Sequence, residues 1–537
     1  MNRVLNRANK RVSLGGAAAL LIVVALFGQL LGFFRNRLVS TNFTVVDPGS
    51  SDAFFAAFLI PDFFFYTIAA GALGVAFMPF LSDHLARGDR KGVWELVTSL
   101  LNMLAIVMLV VGVIIFLFAE PIMSTLFPRL SGEHLHQAVM IMRFIAFNPL
   151  LFTLSGVLTS VQQTFGRFFF FAIAPLFYNL SIMISALIFS IAPHRVGGPG
   201  HLGITGLGIG ALIGAIFQLL ISCLGLVGLK FHWRPRILWR SRDFHTILRQ
   251  LPPRSIDQGI DQINSIVETN RASLLGAGPI SYYNYALILH NVPIMLFGTS
   301  IATAAFPRLT ARLSQNRPDL FRKDFLSILR TMIWISLPVI VICFFCRAYL
   351  ARLLFGKVAQ PIALIFGYLT AAIFFRIIYS IMSRYFYAQK DTKTPLLVSI
   401  FAIALNIFLA VNLAKPQAYG IAGLAMAQSF VAASEVAILL TVMLFRDHRL
   451  LNMAFWGGVA RILSVTGFSV LAAFVMLSIF PLRVADVGFL ILGAKLGSIT
   501  LVTLLVHVAV SSLFELEEAA PIVAKIKQIV LWPVKIE

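Results

Sequence analysis

The chain has 537 residues, 59% of them hydrophobic, and a mean hydropathy of +0.89. Only 12% of residues are charged, about half the share of a soluble domain, which excludes a water-soluble globular protein. The net charge of +21 does not point to nucleic acid, because the basic residues sit in short loops between apolar segments, where membrane topology accounts for them.

Apolar runs of about 20 residues recur from end to end, the pattern of transmembrane helices and not of ten-residue alternating barrel strands. The expected fold is therefore an all-α polytopic membrane protein. After a basic flank, residues 1–12, the pattern predicts fourteen spans. The first six lie at 13–35, 52–82, 93–118, 136–163, 168–192 and 203–229. The next six lie at 254–277, 281–306, 325–347, 358–386, 394–414 and 418–444, and a last pair at 456–480 and 486–512. The first span is read as retained, since no small-residue cleavage site follows it. Assigning the connections alternately to two sides leaves most Lys and Arg on one side. That side is expected to be cytoplasmic, with both termini on it. The three cysteines, Cys223, Cys343 and Cys346, fall in apolar runs and read as inert buried thiols.

The first span ends in "GQLLGFFRNRLVS", where Arg35, Asn36 and Arg37 sit on the side that should be poor in arginine. They read either as snorkelling anchors or as cations facing a cavity. "GSSDAFFAAFLIPDFFF" follows. Asp52 is placed to cap the second span, and Asp62 follows a ladder-breaking Pro61, where an acid must be paired or wet. Arg143 and Arg376, in the fourth and tenth spans, add cationic candidates.

The basic connection 230–253 carries Trp233, Ile237, Trp239, Phe244 and Leu248 among arginines, as an amphipathic helix on the inner leaflet would. It divides the chain into an N-lobe of six helices (13–229) and a C-lobe of six (254–445). Helices 13 and 14 (446–513) and a tail (514–537) complete it.

The seventh span is "RSIDQGIDQINSIVETNR". Arg254, Asp257, Asp261, Asn264, Glu268 and Arg271 fall within an arc of roughly 100° on a helix, with isoleucines largely opposite. A charge facing lipid costs about 2.5–3.5 kcal/mol on insertion scales. The polar face must therefore look at protein or at water. It reads either as a network of buried ion pairs or as a cavity wall that handles a polar substrate or a coupling cation.

Four stretches, "LLGFFRN" (30–36), "SDAFFAAFLIPD" (51–62), "FGRFFFFAIAPLFYNLSIM" (165–183) and "YFYAQKDTKTPLLVSI" (385–400), together resemble the MurJ/MviN family of lipid II flippases. "GAGPISYY" and "VPIMLFGTSIATAAFPRLT" are similar to the start of that family's second lobe. The resemblance implies a MATE-like exporter architecture of two six-helix lobes around a central cavity, with a lipid-tail groove from the last two helices. It implies a bacterial inner-membrane flippase for an undecaprenyl-pyrophosphate-linked saccharide lipid, lipid II, and no covalent chemistry. It also implies cation coupling through the seventh helix, with Na+ or H+ as the ion and Asp257 and Asp261 as candidate Na+ ligands. No other cofactor is expected, and cell-wall synthesis proteins are candidate partners. Arg35 and Asp52 match family positions. Gln29, Phe65, Ala70 and Ile288 stand where the family carries charged residues. Three alternatives stay open on that account: a drug/cation antiporter, a polysaccharide-lipid flippase, and a transport-inactive scaffold for cell-wall synthesis.

Overall fold

The computed structural model describes residues 14–43, 51–70, 77–130, 132–191, 199–231, 233–239, 241–448, 450–486 and 488–530. Among them the regular structure is helical, with no strand. Among the described residues twelve helices are long and apolar enough to cross a bilayer. Two more long helices, α1 (Leu14–Asn42) and α10 (Arg242–Ser273), correspond to the expected first and seventh spans and lie outside that set. α10 is the charged one.

The chain divides into two compact units, Met1–Ser281 and Tyr282–Glu537. The first holds α1, α2 (Ser51–Phe64), α3 (Met78–Ala86), α4 (Arg90–Leu117), α5 (Ala119–Leu126), α6 (Glu133–Ile145), α7 (Asn148–Thr164), α8 (Phe169–Ile191), α9 (Gly206–Leu224) and α10. α11 (Pro279–Pro293) spans the division. The second unit continues with α12 (Ser300–Ser314), α13 (Pro318–Phe345), α14 (Arg347–Phe355), α15 (Ala359–Ala388), α16 (Lys393–Leu413), α17 (Ala422–Arg446), α18 (Met453–Ile479), α19 (Phe489–Leu513) and α20 (Ala520–Val530).

The division falls after α10, not in the basic connection before it. α10 packs on α2, on the π-helical turn Phe65–Ala70 and on α4, all in the first unit. The approach is close: a Cβ on Gly259 would lie 3.2 Å from Thr67.

The basic connection also differs from the expected surface helix. Residues 233–239 are not helical. Helix begins at Arg242, where Ser241 caps it by accepting from the Phe244 amide at 3.4 Å. It then runs unbroken through Pro252 and Pro253 to Ser273. The 233–239 backbone is instead tied to α4, where Asn102 Nδ2 donates to the Arg234 and Arg236 carbonyls and Ser99 Oγ accepts from the Leu238 amide. Phe244 and Ile247 are fully buried in a cluster with Leu81, Val93 and Val97 and do not face lipid.

The order of elements repeats between the two halves of the chain. Ser51–Phe64 is followed by a π-turn at Phe65–Ala70, and Pro279–Pro293 by one at Ile294–Thr299. Each is followed by a helix of 9 or 15 residues, α3 or α12, then a 28-residue helix, α4 or α13, and then a short one, α5 or α14. Both π-turns lie just after a proline, Pro61 or Pro293, whose missing N–H breaks the α-ladder.

In the first unit α9 packs on α8 through Gly206, Gly210 and Gly214 at four-residue spacing. A Cβ on Gly210 would come within 2.3 Å of Ser185 Cβ, and one on Gly214 within 3.0 Å of the Tyr178 Cα. In the second unit Asp324 on α13 accepts from two α12 arginines. Arg308 donates to it through Nε at 3.0 Å and Nη2 at 2.5 Å, and Arg312 through Nε at 2.8 Å.

Asp391 explains the chemistry of the "KDTKTP" turn. Its carboxylate accepts from the Lys393 and Thr394 amides at 3.0 Å each and from Thr394 Oγ1 at 2.6 Å, and it pairs with Arg446 Nη1 at 2.7 Å. The Thr394 hydroxyl, with these other partners, holds its pKa down at about 2.

Two predictions follow from this packing. Gly210→Val should cost ~1–3 kcal/mol by overpacking, read as a lowered melting temperature of the detergent-solubilised protein. Because Asp391 titrates lower when folded than when unfolded, its stabilisation is present above the ordinary carboxylate range and is lost as pH falls toward 2. Asp391→Asn should therefore flatten the acid side of the melting-temperature profile and leave its shape at neutral pH unchanged.

Candidate functional site

α1 packs along α8, and this brings Arg35 to a polar position in an otherwise apolar helix. Arg35 Nη1 donates to Asn179 Oδ1 at 3.0 Å, and Nη2 donates to Asn36 Oδ1 at 3.3 Å. Asn36 is buried. Asp62, half-buried on α2, lies within the electrostatic reach of Arg35, as does the neighbouring Tyr178. Tyr66, on the π-turn, lies within reach of Asp62. Tyr178 packs edge-on against Phe152 at 5.0 Å, and Phe152 in turn packs on Phe65. Arg35, Asn36, Asp62, Tyr66, Tyr178 and Asn179 thus form one polar group inside the first unit. Tyr178, Asn179 and Tyr66 were not singled out from sequence. The signal for the first two was a Tyr-Asn pair in the middle of "FFFAIAPLFYNLSIM". Arg37 stands on the same helix, and its carbonyl accepts from Ser40 Oγ at 3.0 Å and Thr41 Oγ1 at 2.8 Å.

Asp52 is buried in the first turn of α2 but caps a different helix. Its carboxylate accepts from the Gly278 amide at 2.6 Å, the Ser281 amide at 2.7 Å and Ser281 Oγ at 2.5 Å. These are the orphan donors at the start of α11. Ser51 Oγ adds a 2.7 Å contact to Ser281 Oγ. Asp52 is therefore saturated by protein donors, which fits an anchor better than a ligand for cargo.

On α10 the expected polar stripe is present, with unequal environments along it. Asp261 is exposed, Asn264 half-buried and Glu268 buried, 4% exposed. Asn264 Nδ2 donates to Glu268 Oε1 at 3.2 Å. The side chains of Arg254 and Asp257 lie outside the described residues. Past Glu268 the helix end is fixed to the end of α5 and the loop after it: Asn270 Nδ2 donates to the Leu126 carbonyl, and Arg129 Nη1 donates to the Leu274 carbonyl at 2.7 Å. Arg271 and, on α6, Arg143 are both half-buried. Neither makes an ion pair or side-chain hydrogen bond among the described residues. Arg271 Nε is buried without a partner.

Arg376 belongs to the second unit, where Nη1 pairs with Glu435 Oε2 at 2.6 Å. Glu435 is buried on α17, which packs on α15. Arg376 is thus a member of a buried ion pair in its own unit. Among the described residues no group of three or more His, Cys, Asp or Glu side chains could hold a metal ion. The arrangement in the first unit suits non-covalent handling of charge: guanidiniums for an anion and carboxylates for a cation.

The family profile described as "Lipid II flippase MurJ" matches residues 48–494. A probable lipid II flippase MurJ of Buchnera aphidicola (Acyrthosiphon pisum) is 27% identical over 398 residues, which are 72% of this chain and 75% of that protein. Among solved structures, the inward closed conformation of lipid II flippase MurJ matches with a TM-score of 0.75 at 23% identity, covering 92% of this chain and 98% of that one. An inward-facing multidrug resistance MATE family transporter of the MOP superfamily matches with a TM-score of 0.64 at 17% identity, over 81% of this chain and 98% of that one. The profile match runs through both units and most of the sequence, and on it the chain belongs to the lipid II flippase MurJ family.

Proposed function

We propose that this protein moves lipid II, a lipid-linked peptidoglycan precursor, across the bacterial inner membrane. The observation that carries the reading is the family match over residues 48–494. The polar group around Arg35 supports it. Pyrophosphate is recognised through charge-assisted, bidentate hydrogen bonds, which guanidinium geometry supplies. In this reading Arg35 is held ready by Asn179 and Asn36, with Asp62 as the counter-charge that an arriving pyrophosphate competes with. Arg143 and Arg271 supply the remaining positive charge in place of the family cations missing at Gln29, Phe65 and Ile288.

Cation coupling is part of the same proposal. Asp261 and Glu268, with Asp257 on the same helical face, bind and release Na+ or H+ as the carrier cycles. Both termini are taken to lie in the cytoplasm, because the connections on their side carry most of the Lys and Arg.

Three experiments test the reading. The gene should support growth of a strain depleted of its own lipid II flippase; no growth despite normal membrane levels would exclude lipid II as cargo. Arg35→Ala should weaken binding of a pyrophosphate-linked polyprenyl lipid by about tenfold or more, the loss of a charge-assisted pair, while Asp52→Asn should mainly lower thermal stability. Wild-type binding by the Arg35 variant would return that residue to an anchoring role. For coupling, Asp261→Asn should lower transport at unchanged protein level and blunt its Na+ or pH dependence. Transport that keeps its full ion dependence in this variant would remove Asp261 from the mechanism.

A further inference from the structure

The non-helical segment 233–239 lies against α4, and a groove of about 640 Å³ opens between them. Lys91, Trp94, Thr98, Trp233, Arg234 and Arg236 line it. The segment is held in place by side chains of α4. Asn102 Nδ2 donates to the Arg234 carbonyl at 2.7 Å and the Arg236 carbonyl at 3.1 Å, and Asn102 Oδ1 accepts from the Trp233 indole at 2.8 Å. Ser99 Oγ accepts from the Leu238 amide at 3.1 Å. On the inner side Trp94 is stacked on Phe165 at 5.6 Å and packs on Phe231 at 5.3 Å. The groove is therefore preformed, with its backbone polar groups used internally.

The side chains left over are cationic. Arg234 and Arg236 are exposed, and their guanidiniums make no ion pair or hydrogen bond among the described residues. The one carboxylate in the lining, Glu95, faces Lys91 at 4.0 Å. Two free guanidiniums beside indole rings form a site for a phosphate monoanion or dianion.

The surface that continues from the groove identifies the source of that phosphate. One turn beyond Asn102, α4 becomes an exposed apolar stripe: Ile106 is 56% exposed and Val110 53%. On a 28-residue membrane-crossing helix such a stripe faces acyl chains. A phosphate seated on Arg234 and Arg236 would thus have hydrocarbon-compatible surface directly beside it, and Trp233, 57% exposed, stands at the boundary as interfacial indoles do.

We propose that this groove binds the headgroup of an anionic phospholipid, with its acyl chains along the Ile106–Val110 face of α4. The site is separate from the polar group around Arg35 and does not depend on lipid II as cargo.

The test is native mass spectrometry of the full-length protein in detergent, titrated with phosphatidylglycerol and with phosphatidylcholine of the same chains. Wild type should retain phosphatidylglycerol in preference. The double variant Arg234→Gln/Arg236→Gln should lose about twenty-fivefold in that affinity, roughly fivefold for each basic residue at a membrane surface, and bind the two lipids alike. Asn102→Ala, which keeps both arginines but frees the segment, should weaken phosphatidylglycerol binding as well. Melting temperatures are measured in parallel, and a doubly substituted protein that melts like wild type yet keeps the preference overturns the proposal. So does equal retention of the two lipids by wild type. Displacement of phosphatidylglycerol by millimolar inorganic phosphate would identify a free-phosphate site instead and overturn the lipid assignment.

Discussion

Everything in the first unit is arranged around one constraint: an ionisable side chain placed at membrane depth must have a polar partner or water. Arg35 meets it through Asn179 and Asn36. Asn179 can serve because α8 lies close to both α1 and α9. The approach of α8 to α9 rests on the glycines of α9, which leave no room for a Cβ against Ser185 or Tyr178.

The same constraint sorts the charges by whether the described residues supply a partner. Asp52 accepts hydrogen bonds from Gly278 and Ser281, and Arg376 is paired with Glu435. Removing either would leave a buried group uncompensated, a structural cost. Arg143 and Arg271 differ: they are half-buried cations with no ion pair or side-chain hydrogen bond among the described residues.

The helical, membrane-spanning class was legible because hydropathy and helical period are local properties, and the polar stripe of α10 could be read from its three-four spacing for the same reason. The partners were not legible. Asn179 is 144 residues from Arg35, and Ser281 is 229 from Asp52. No local pattern names a partner at that distance, so Asp52 was expected to cap its own helix. Segment 233–239 has an amphipathic composition that suits a helix. It is not helical because Asn102 and Ser99, over 130 residues earlier, take up its backbone groups. The resemblance motifs gave the family, while the roles of their residues had to come from geometry.

The π-turn at Ile294–Thr299 has a mechanical corollary. Such a turn stores one surplus residue in the helix, and passing that residue along or expelling it swivels all downstream side chains by about 100°. Downstream here means α12, whose Arg308 and Arg312 grip Asp324 on α13. A change of phase at the π-turn would therefore have to break the hydrogen bonds of two arginines to one carboxylate.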